Sequence, residues 1–347
     1  MPEGIRVVQA LAGAAVGGAE NFYTRLVAAL ADDPGLDQHA FTRRNPAREA
    51  ALRSAGIPVQ RFRFGGPLDL VDHWVYRRAL ERLSPDIVMT WMSRASGNTP
   101  RGPWRLVNRL GHYYNLRHYR HADHWVGITR GICDYLVREG LPAERISCIG
   151  NFADETTLPT PPRDSFDTPA DQPVLLAAGR LHENKGFDVL LQALTQVESA
   201  TLWLAGDGPL ALSLKQQARE LGVTDRVRFL GWRDDVGALM QAADQFICPS
   251  RHEGLGSIVV EAWFRGVPLI ATASQGPGEL ISDGEDGLLT PIDDSGALAA
   301  AINQLLQNPG EAQAMARRGR QTYRERFSRA VISRAYGELY RGLVDRP

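Results

Sequence analysis

Lysine is almost missing from this chain. Of its 347 residues only Lys185 and Lys215 are lysines, and every other side-chain cation apart from histidine is arginine. A bias in base composition is the plain cause. It still makes Lys185 conspicuous, because arginine is the default cation here. Cysteine is scarce as well, and Cys133, Cys148 and Cys248 form no CxxC pair. That excludes a disulfide framework as the organising device. No apolar run approaches the roughly 18 residues that suggest a membrane-crossing helix, and no signal-peptide pattern opens the chain. The expectation is a reducing compartment: a cytoplasmic protein, or one held peripherally on the cytoplasmic face of the inner membrane. Net charge is −1, so no bulk field recruits nucleic acid. The first 160 residues are mildly basic and the rest mildly acidic, which suits an anionic acceptor or membrane surface at the N-terminal half. Neither a Ser-His-Asp spacing nor a nucleophile elbow is present, which leaves hydrolase readings without support.

What is present is a long alternation of strand and helix patterns. The length suggests two domains, and 44% hydrophobic with 23% charged residues is the composition of a soluble globular protein. In the N-terminal half, short apolar runs at 5–10, 87–91, 125–128 and 146–149 read as strands, with helices at 20–31 and 130–139. Residues 154–173 are rich in Thr, Pro and Asp. Pro159, Pro161, Pro162, Pro169 and Pro173 forbid regular structure, so a linker is expected at about 153–172. A second series follows, with strands at 174–178, 201–205, 227–230, 245–248 and 269–271 and helices at 186–194, 210–221, 236–242 and 257–265. Terminal helices are expected at 295–318 and 328–343. Such alternation with short loops predicts an α/β protein of parallel sheets covered on both faces. Two series predict two Rossmann-like domains, 1–155 and 172–327, that bind ligands at the carboxyl ends of their strands.

The segment 105–124 reads RLVNRLGHYYNLRHYRHADH and is expected to be a polar, arginine- and aromatic-rich helix face. His118, His121 and His124 drift around such a helix, and no Asp, Glu or Cys completes a metal-ligand spacing. Tyr113, Tyr114, Tyr119 and Trp125 beside Arg117 and Arg120 would suit an anionic glycolipid surface. The acid pairs Asp234-Asp235 and Asp293-Asp294 read as solvated or helix-capping groups rather than metal sites.

The most informative stretch is Cys248 to Pro268, CPSRHEGLGSIVVEAWFRGVP. It runs from the end of a buried strand through a Gly-x-Gly turn (Gly254, Gly256) into a helix. Carboxylates stand at both ends of that passage, Glu253 and Glu261. Free N–H groups and the positive end of a helix dipole suit a phosphorylated ligand there. Other short motifs fall around it in order: Gly17-Gly18-Ala19-Glu20, then Ala178-Gly179-Arg180-Leu181 with Lys185-Gly186, then Gly206-Asp207-Gly208-Pro209 and Phe229-Leu230-Gly231. After Glu261 come Gly278-Glu279-Leu280-Ile281 and Asp283-Gly284. Together they resemble the retaining glycosyltransferases of family 4, the group 1 glycosyltransferases with an E-x7-E signature. The resemblance covers nearly the whole chain and is stronger in the C-terminal half.

The resemblance implies a GT-B fold, with two doubly wound domains facing a central cleft and a C-terminal helix of about 328–347 crossing back to the first domain. It implies transfer of a sugar from a nucleotide diphosphate sugar to a hydroxyl of a glycan or glycolipid, as in bacterial lipopolysaccharide or cell-surface polysaccharide synthesis. The nucleotide sugar is substrate, and no cofactor or metal is implied. Arg180 and Lys185 are expected to stabilise the charge that grows on the departing diphosphate, Glu253 to approach the donor sugar and Glu261 to bind the ribose. Gly256, Ser257 and Ile258 would offer N–H groups to the phosphates, with Ser257 also suited to cap the helix. Gly17 and Gly18 would face the diphosphate, and Gly231 with Arg233 the base. His112 would lie near the donor sugar and the acceptor, Arg94 in the loop 92–99 would touch the acceptor, and Glu20 would bind acceptor or orient the glycine loop. The rival readings are a GT-B-like nucleotide-sugar epimerase, a non-catalytic nucleotide-sugar-binding protein and, less well supported by the balanced charge, a nucleic-acid binder.

Overall fold

The structure, a computed structural model, describes residues 4–14, 17–66, 69–169, 171–197, 199–254 and 256–345. It divides into two units, Met1–Asn151 with Arg329–Pro347, and Phe152–Ser328. The first unit is built on seven parallel strands: β1 (Ile5–Leu11), β2 (Leu36–Thr42), β3 (Val59–Arg61), β4 (Ile87–Trp91), β5 (Arg105–Leu110), β6 (His124–Gly127) and β7 (Ile146–Cys148). Their spatial order is β3-β2-β1-β4-β5-β6-β7. The second unit has six: β8 (Val174–Ala178), β9 (Thr201–Ala205), β10 (Val227–Gly231), β11 (Gln245–Cys248), β12 (Leu269–Thr272) and β13 (Leu288–Thr290), ordered β10-β9-β8-β11-β12-β13. In each sheet the order reverses beside the first strand, between β1 and β4 and between β8 and β11. Helices leave to opposite faces at that point, which opens a crevice at the carboxyl ends of the two strands. Central strands such as β4 (IVMTW) and β9 (TLWLA) are buried at every residue, as sheets covered on both faces require.

The strands that stand out as apolar runs appear where expected. β2, β3, β5 and β13 do not stand out in the sequence, being short or interrupted by polar residues. β5 shows why. Asn108 and Arg109 are buried in it, and both are satisfied by groups far along the chain. Asn108 Nδ2 donates to the Tyr119 carbonyl at 2.9 Å, while the Arg109 guanidinium lies 4.3 Å from the Trp91 ring centroid and donates to Tyr336 Oη at 3.1 Å. The segment 105–124 is therefore not a helix. It is β5, a turn, a short 3-10 stretch at Leu116–His118 and the entry to β6.

Three further expectations change. The proline-rich stretch 153–172 lacks long regular structure but is packed on the second unit rather than free. Ala153 belongs to that unit's core, Phe166 lies edge-on to Trp203 at 4.9 Å, and Trp203 Nε1 donates to Thr168 Oγ1 at 2.9 Å. The helix expected at 295–318 is two, Ser295–Gln307 and Pro309–Thr322. Proline is tolerated at the first helical position but disfavours helix at the residue before it, so the break falls at Asn308. The residues 92–99 form a short helix, Met92–Asn98, not a loop.

The final helix, Arg329–Val344, returns to the first unit. Gln9 in β1 is the anchor: its Nε2 donates to Tyr340 Oη at 2.9 Å and its Oε1 accepts from Trp91 Nε1 at 3.0 Å. Arg329 and Arg341 pair with Asp32 and Asp33 at the rim. Tyr340 is fully buried, so Tyr340→Ala is expected to cost the fold about 3–5 kcal/mol through the cavity it leaves. Tyr340→Phe, which removes only the hydroxyl, should cost about 1 kcal/mol. Urea unfolding followed by tryptophan fluorescence distinguishes the two.

Candidate active site

The carboxyl edge of the second sheet is held by backbone contacts that only glycine permits. β8 runs into Gly179-Arg180-Leu181 and β9 into Gly206-Asp207-Gly208. Gly179 N–H donates to the Ala205 carbonyl at 3.0 Å and Leu181 N–H to the Asp207 carbonyl at 2.9 Å. A Cβ at position 206 would lie 1.8 Å from the Gly179 carbonyl oxygen, and one at 208 would lie 2.5 Å from the Leu181 carbonyl oxygen, both at positive φ. The glycines of these two motifs therefore let two loops lie side by side. From this floor Arg180 projects into solvent and makes no ion pair among the described residues.

The next turn, Glu183–Lys185, ends at Gly186 in the left-handed region, where a Cβ would sit 2.1 Å from the Pro249 carbonyl oxygen. The turn thus lies directly against the loop that leaves β11. Three further links cross the β8–β11 switch point. His252 N–H donates to the Asn184 carbonyl at 3.2 Å. Arg251 donates to the Glu183 carbonyl at 2.8 Å, to both oxygens of Asp188 at 2.9 and 2.6 Å, and to Asp293 at 2.6 Å. Lys185 Nζ forms an ion pair with Glu253 Oε2. Burial pulls the Lys185 pKa down, but the charge and hydrogen bond of Glu253 outweigh it and leave the pKa above its ordinary value. The amine is therefore cationic at neutral pH. Beside the pair, burial and the Glu253 charge push the Cys248 thiol up to about 11, so it is not a reactive thiolate.

Gly256 is left-handed at φ +66 and packs so tightly that a Cβ there would meet Leu280 Cδ1 at 3.0 Å. It is the N-cap of the helix Ser257–Arg265, and no side chain caps that helix. This corrects the capping role expected of Ser257: the chain enters the helix through a conformation that glycine supplies. Among the described residues the Ser257 and Ile258 N–H groups have no protein acceptor, so the positive helix end is open to an anion. Glu261, one turn on, accepts from Asp154 N–H at 2.9 Å. Arg265 Nη2 holds the carbonyls of Asp154 and Thr156 at 2.9 and 3.0 Å. Glu261 therefore sits where the chain enters this unit.

Arg180, Lys185, Glu253 and Gly256 thus gather on the segments after β8 and β11, with Ser257 and Ile258 in the first turn of the adjoining helix and Glu261 one turn on. Gly231 adjoins this edge one loop further on, since its carbonyl accepts from Gly206 N–H at 2.7 Å. It is the last residue of β10, two strands away from β8, and Arg233 beyond it is paired with Asp235 at 2.8 and 2.6 Å. Arg251, Asp188 and Arg265 are missing from the sequence reading. Arg251 lies two residues before Glu253, but nothing in the sequence shows that its partner is 63 residues away.

In the first unit the loops after β1, β4 and β5 carry the remaining candidates. Glu20 is buried, at 4% exposure, and its Oε1 accepts from Ala14 N–H at 2.7 Å. A Cβ at Gly13 or Gly17 would approach its carboxylate oxygens to 2.4 or 2.3 Å. Arg48 Nη2 holds the Ala14 carbonyl at 3.0 Å. Of the two roles expected of Glu20, its burial and its bond to Ala14 N–H fit the orienting one. Ala15 and Val16, at the tip of that loop, lie outside the described residues. Gly18 has open space around it, Arg94 is exposed on the Met92–Asn98 helix, and His112 is exposed immediately beyond β5.

The glycolipid-facing surface expected at 113–125 is not there. Tyr119 and Trp125 are core residues at 0% and 3% exposure, Tyr114 stacks on Tyr119, and only Tyr113 of the four aromatics is exposed. His118, His121 and His124 have separate partners in Arg117, Thr99 and Ser147.

The glycine contacts make a direct test. Gly206→Ala forces a carbon into a backbone oxygen and is expected to destabilise the second unit by roughly 3 kcal/mol or more. Gly18→Ala, with no described atom within 4 Å of the added carbon, should change stability by less than about 1 kcal/mol. Denaturant midpoints of the two variants check this.

Comparison with known proteins agrees with this fold. The family model for Glycosyltransferase Family 4 matches residues 16–157 and that for Glycosyl transferases group 1 matches residues 162–322. The lipopolysaccharide core biosynthesis glycosyltransferase LpsE of Rhizobium meliloti (strain 1021) is 36% identical over 93% of this chain and 95% of its own length. LpsD of the same organism is 35% identical over 95% and 97%. Among solved structures, Anabaena HepE in complex with UDP superposes with a TM-score of 0.84 at 23% identity, covering 97% of this chain and 100% of that one; this likeness shows the fold. The chain belongs to the group 1, family 4 type of glycosyltransferases, and it is an enzyme of the GT-B fold.

Proposed function

We propose that this glycosyltransferase moves a sugar, with retention of anomeric configuration, from a nucleotide diphosphate sugar to a hydroxyl of a glycan or glycolipid acceptor. The setting is the assembly of a lipopolysaccharide core or a related cell-surface polysaccharide, on the cytoplasmic side of the membrane that carries the acceptor. The observation that carries the reading is the Lys185–Glu253 pair at the β8–β11 switch point, a few residues before a helix whose first N–H groups lack protein acceptors among the described residues. A departing nucleoside diphosphate accumulates negative charge. Arg180, Lys185 and that helix start are three stabilisers of such charge brought to one edge. The two lipopolysaccharide core relatives support the acceptor class, and the UDP in the HepE structure supports a nucleotide-linked donor.

In this reading Lys185 turns from Glu253 toward the diphosphate while Glu253 stays beside it, facing the sugar. There it stabilises positive charge that develops at the anomeric carbon. Glu261 accepts from the ribose hydroxyls, in place of or alongside the Asp154 N–H. The acceptor hydroxyl gives its proton to the leaving phosphate oxygen, so no protein base is needed and no metal is required to neutralise the diphosphate. Arg94 and His112 serve the acceptor from the first unit.

Thermal shift against a panel of nucleotide sugars tests the assignment. The cognate donor at about 100 times its Kd adds about 2.7 kcal/mol to the fold. Lys185→Ala and Glu261→Ala are expected to lose that stabilisation. Arg94→Ala should keep it while transfer falls at least about tenfold. Retention of full donor stabilisation and turnover by Lys185→Ala would overturn the phosphate assignment, and an inverted anomeric centre in the product, read by NMR, would overturn retention.

A further inference from the structure

The helix Leu70–Leu83 in the first unit presents the wrong chemistry to solvent for an ordinary surface helix. Its packed face is Asp72, Tyr76 and Leu80. On the opposite face, at spacings that form one stripe of a 3.6-residue period, stand Leu70, Val71, Trp74, Val75, Arg78 and Arg82. The four apolar members are 72%, 68%, 59% and 43% exposed. Ten large hydrophobic side chains are exposed among the described residues, so four on one helix make a patch rather than scatter. Arg78 lies over the Trp74 ring at 5.2 Å. Arg61, Arg63 and Arg77 nearby are neutralised by Glu49, Asp69 and Glu81, whereas Arg78 and Arg82 have no carboxylate partner among the described residues. A cavity of about 570 Å³ opens beside the stripe, lined by Trp74, Val75, Arg78 and Arg82 on one side and Arg61 and Phe62 on the other.

The charge identifies the occupant. A second copy of the chain would set Arg78 and Arg82 against themselves across a twofold axis. Four apolar side chains also fall well short of the roughly 800 Å² per partner of a stable interface. An anionic bilayer matches each part: aliphatic side chains at the headgroup boundary, a tryptophan at the interface and two unpaired guanidinium groups for phosphates. The placement fits as well. His73 Nε2 meets Asn98 Oδ1 and Tyr76 Oη meets Thr99 Oγ1 at 2.8 Å, both at the end of the helix that carries Arg94. The Leu70–Leu83 helix follows β3 and leads into β4 of a parallel sheet, so its apolar N-terminal end lies toward the carboxyl edge of that sheet, the edge from which the segments carrying Arg94 and His112 depart. We propose that the exposed face of the Leu70–Leu83 helix docks on an anionic phospholipid surface, with Leu70, Val71, Trp74 and Val75 entering the headgroup boundary and Arg78 and Arg82 binding lipid phosphates. The inference rests on the lipid-linked acceptor reading above and is independent of how the donor is bound.

Co-sedimentation of the full chain with vesicles tests it. Binding is expected to vesicles of phosphatidylglycerol with phosphatidylethanolamine, to weaken with added salt and to be absent from phosphatidylcholine vesicles. Arg78→Glu with Arg82→Glu, and separately Leu70→Ser with Trp74→Ser, should each lower the bound fraction at least about tenfold. All four positions are exposed, so melting temperature and donor-induced stabilisation should match the wild type; this keeps a failure of lipid docking distinct from a failure of the donor assignment. Equal binding to both vesicle types, or unchanged binding by the two double variants, would overturn the proposal. So would a wild-type dimer in light scattering that Leu70→Ser with Trp74→Ser dissociates, since that would make the face a self-association surface.

Discussion

Lys185 and Glu253 join two loops that the chain separates by 68 residues, and the chemistry of the second unit depends on that junction. Neither residue is placed by its own loop alone. The turn carrying Lys185 is pressed against Pro249 through Gly186, and Arg251 ties the same turn to the helix behind it through Asp188. The pairing leaves a half-buried cation protonated and a carboxylate beside it without excess charge. A phosphate that enters can take over the cation, because the amine has three donors and swaps one anion for another at little cost in desolvation.

The same edge shows how backbone geometry prepares a site before any side chain acts. Three left-handed or extended glycines around β8, β9 and β11 bring main chain against main chain, which leaves the loops little freedom. The uncapped helix start follows directly from Gly256. A side-chain cap would occupy the N–H groups that an anion needs, so the absence of a cap serves binding at the expense of local helix stability.

The first unit solves a related problem with a buried acid. Glu20 accepts from the Ala14 N–H and Arg48 holds the Ala14 carbonyl, so charge-assisted hydrogen bonds tie Ala14 on both sides. The returning helix closes this unit from behind through Tyr336 and Tyr340, which satisfy Arg109 and Gln9 in the sheet. The outward face of the Leu70–Leu83 helix is left apolar and basic, which is what distinguishes it from the other helices of the unit.

Much of this was legible in the residues themselves. Runs such as VLLAA and TLWLA read as strands buried on both faces, since every side chain but Thr201 is apolar and the run is too short for a helix. Gly-rich turns between such strands and an apolar-periodic helix mark the edge where ligands bind, because only glycine allows the close approach the loops need. Glu253 and Glu261 announced themselves by that context. β2 and β5 were illegible for the opposite reason: Gln38, Asn108 and Arg109 are polar residues in a core, and the groups that pair with Asn108, with Arg109 and with the Gln38 side-chain carbonyl oxygen lie elsewhere in the chain. The segment 105–124 read as a helix face for the same cause, as its aromatics are core residues whose burial no local pattern reveals. Local sequence thus determined which elements form and where the glycines must lie, because propensity and steric allowance act over a few residues. Tertiary structure decided which charges meet, from Lys185 with Glu253 to Arg251 with Asp188, because Coulomb energy and burial depend on distances in space that the order of residues does not contain.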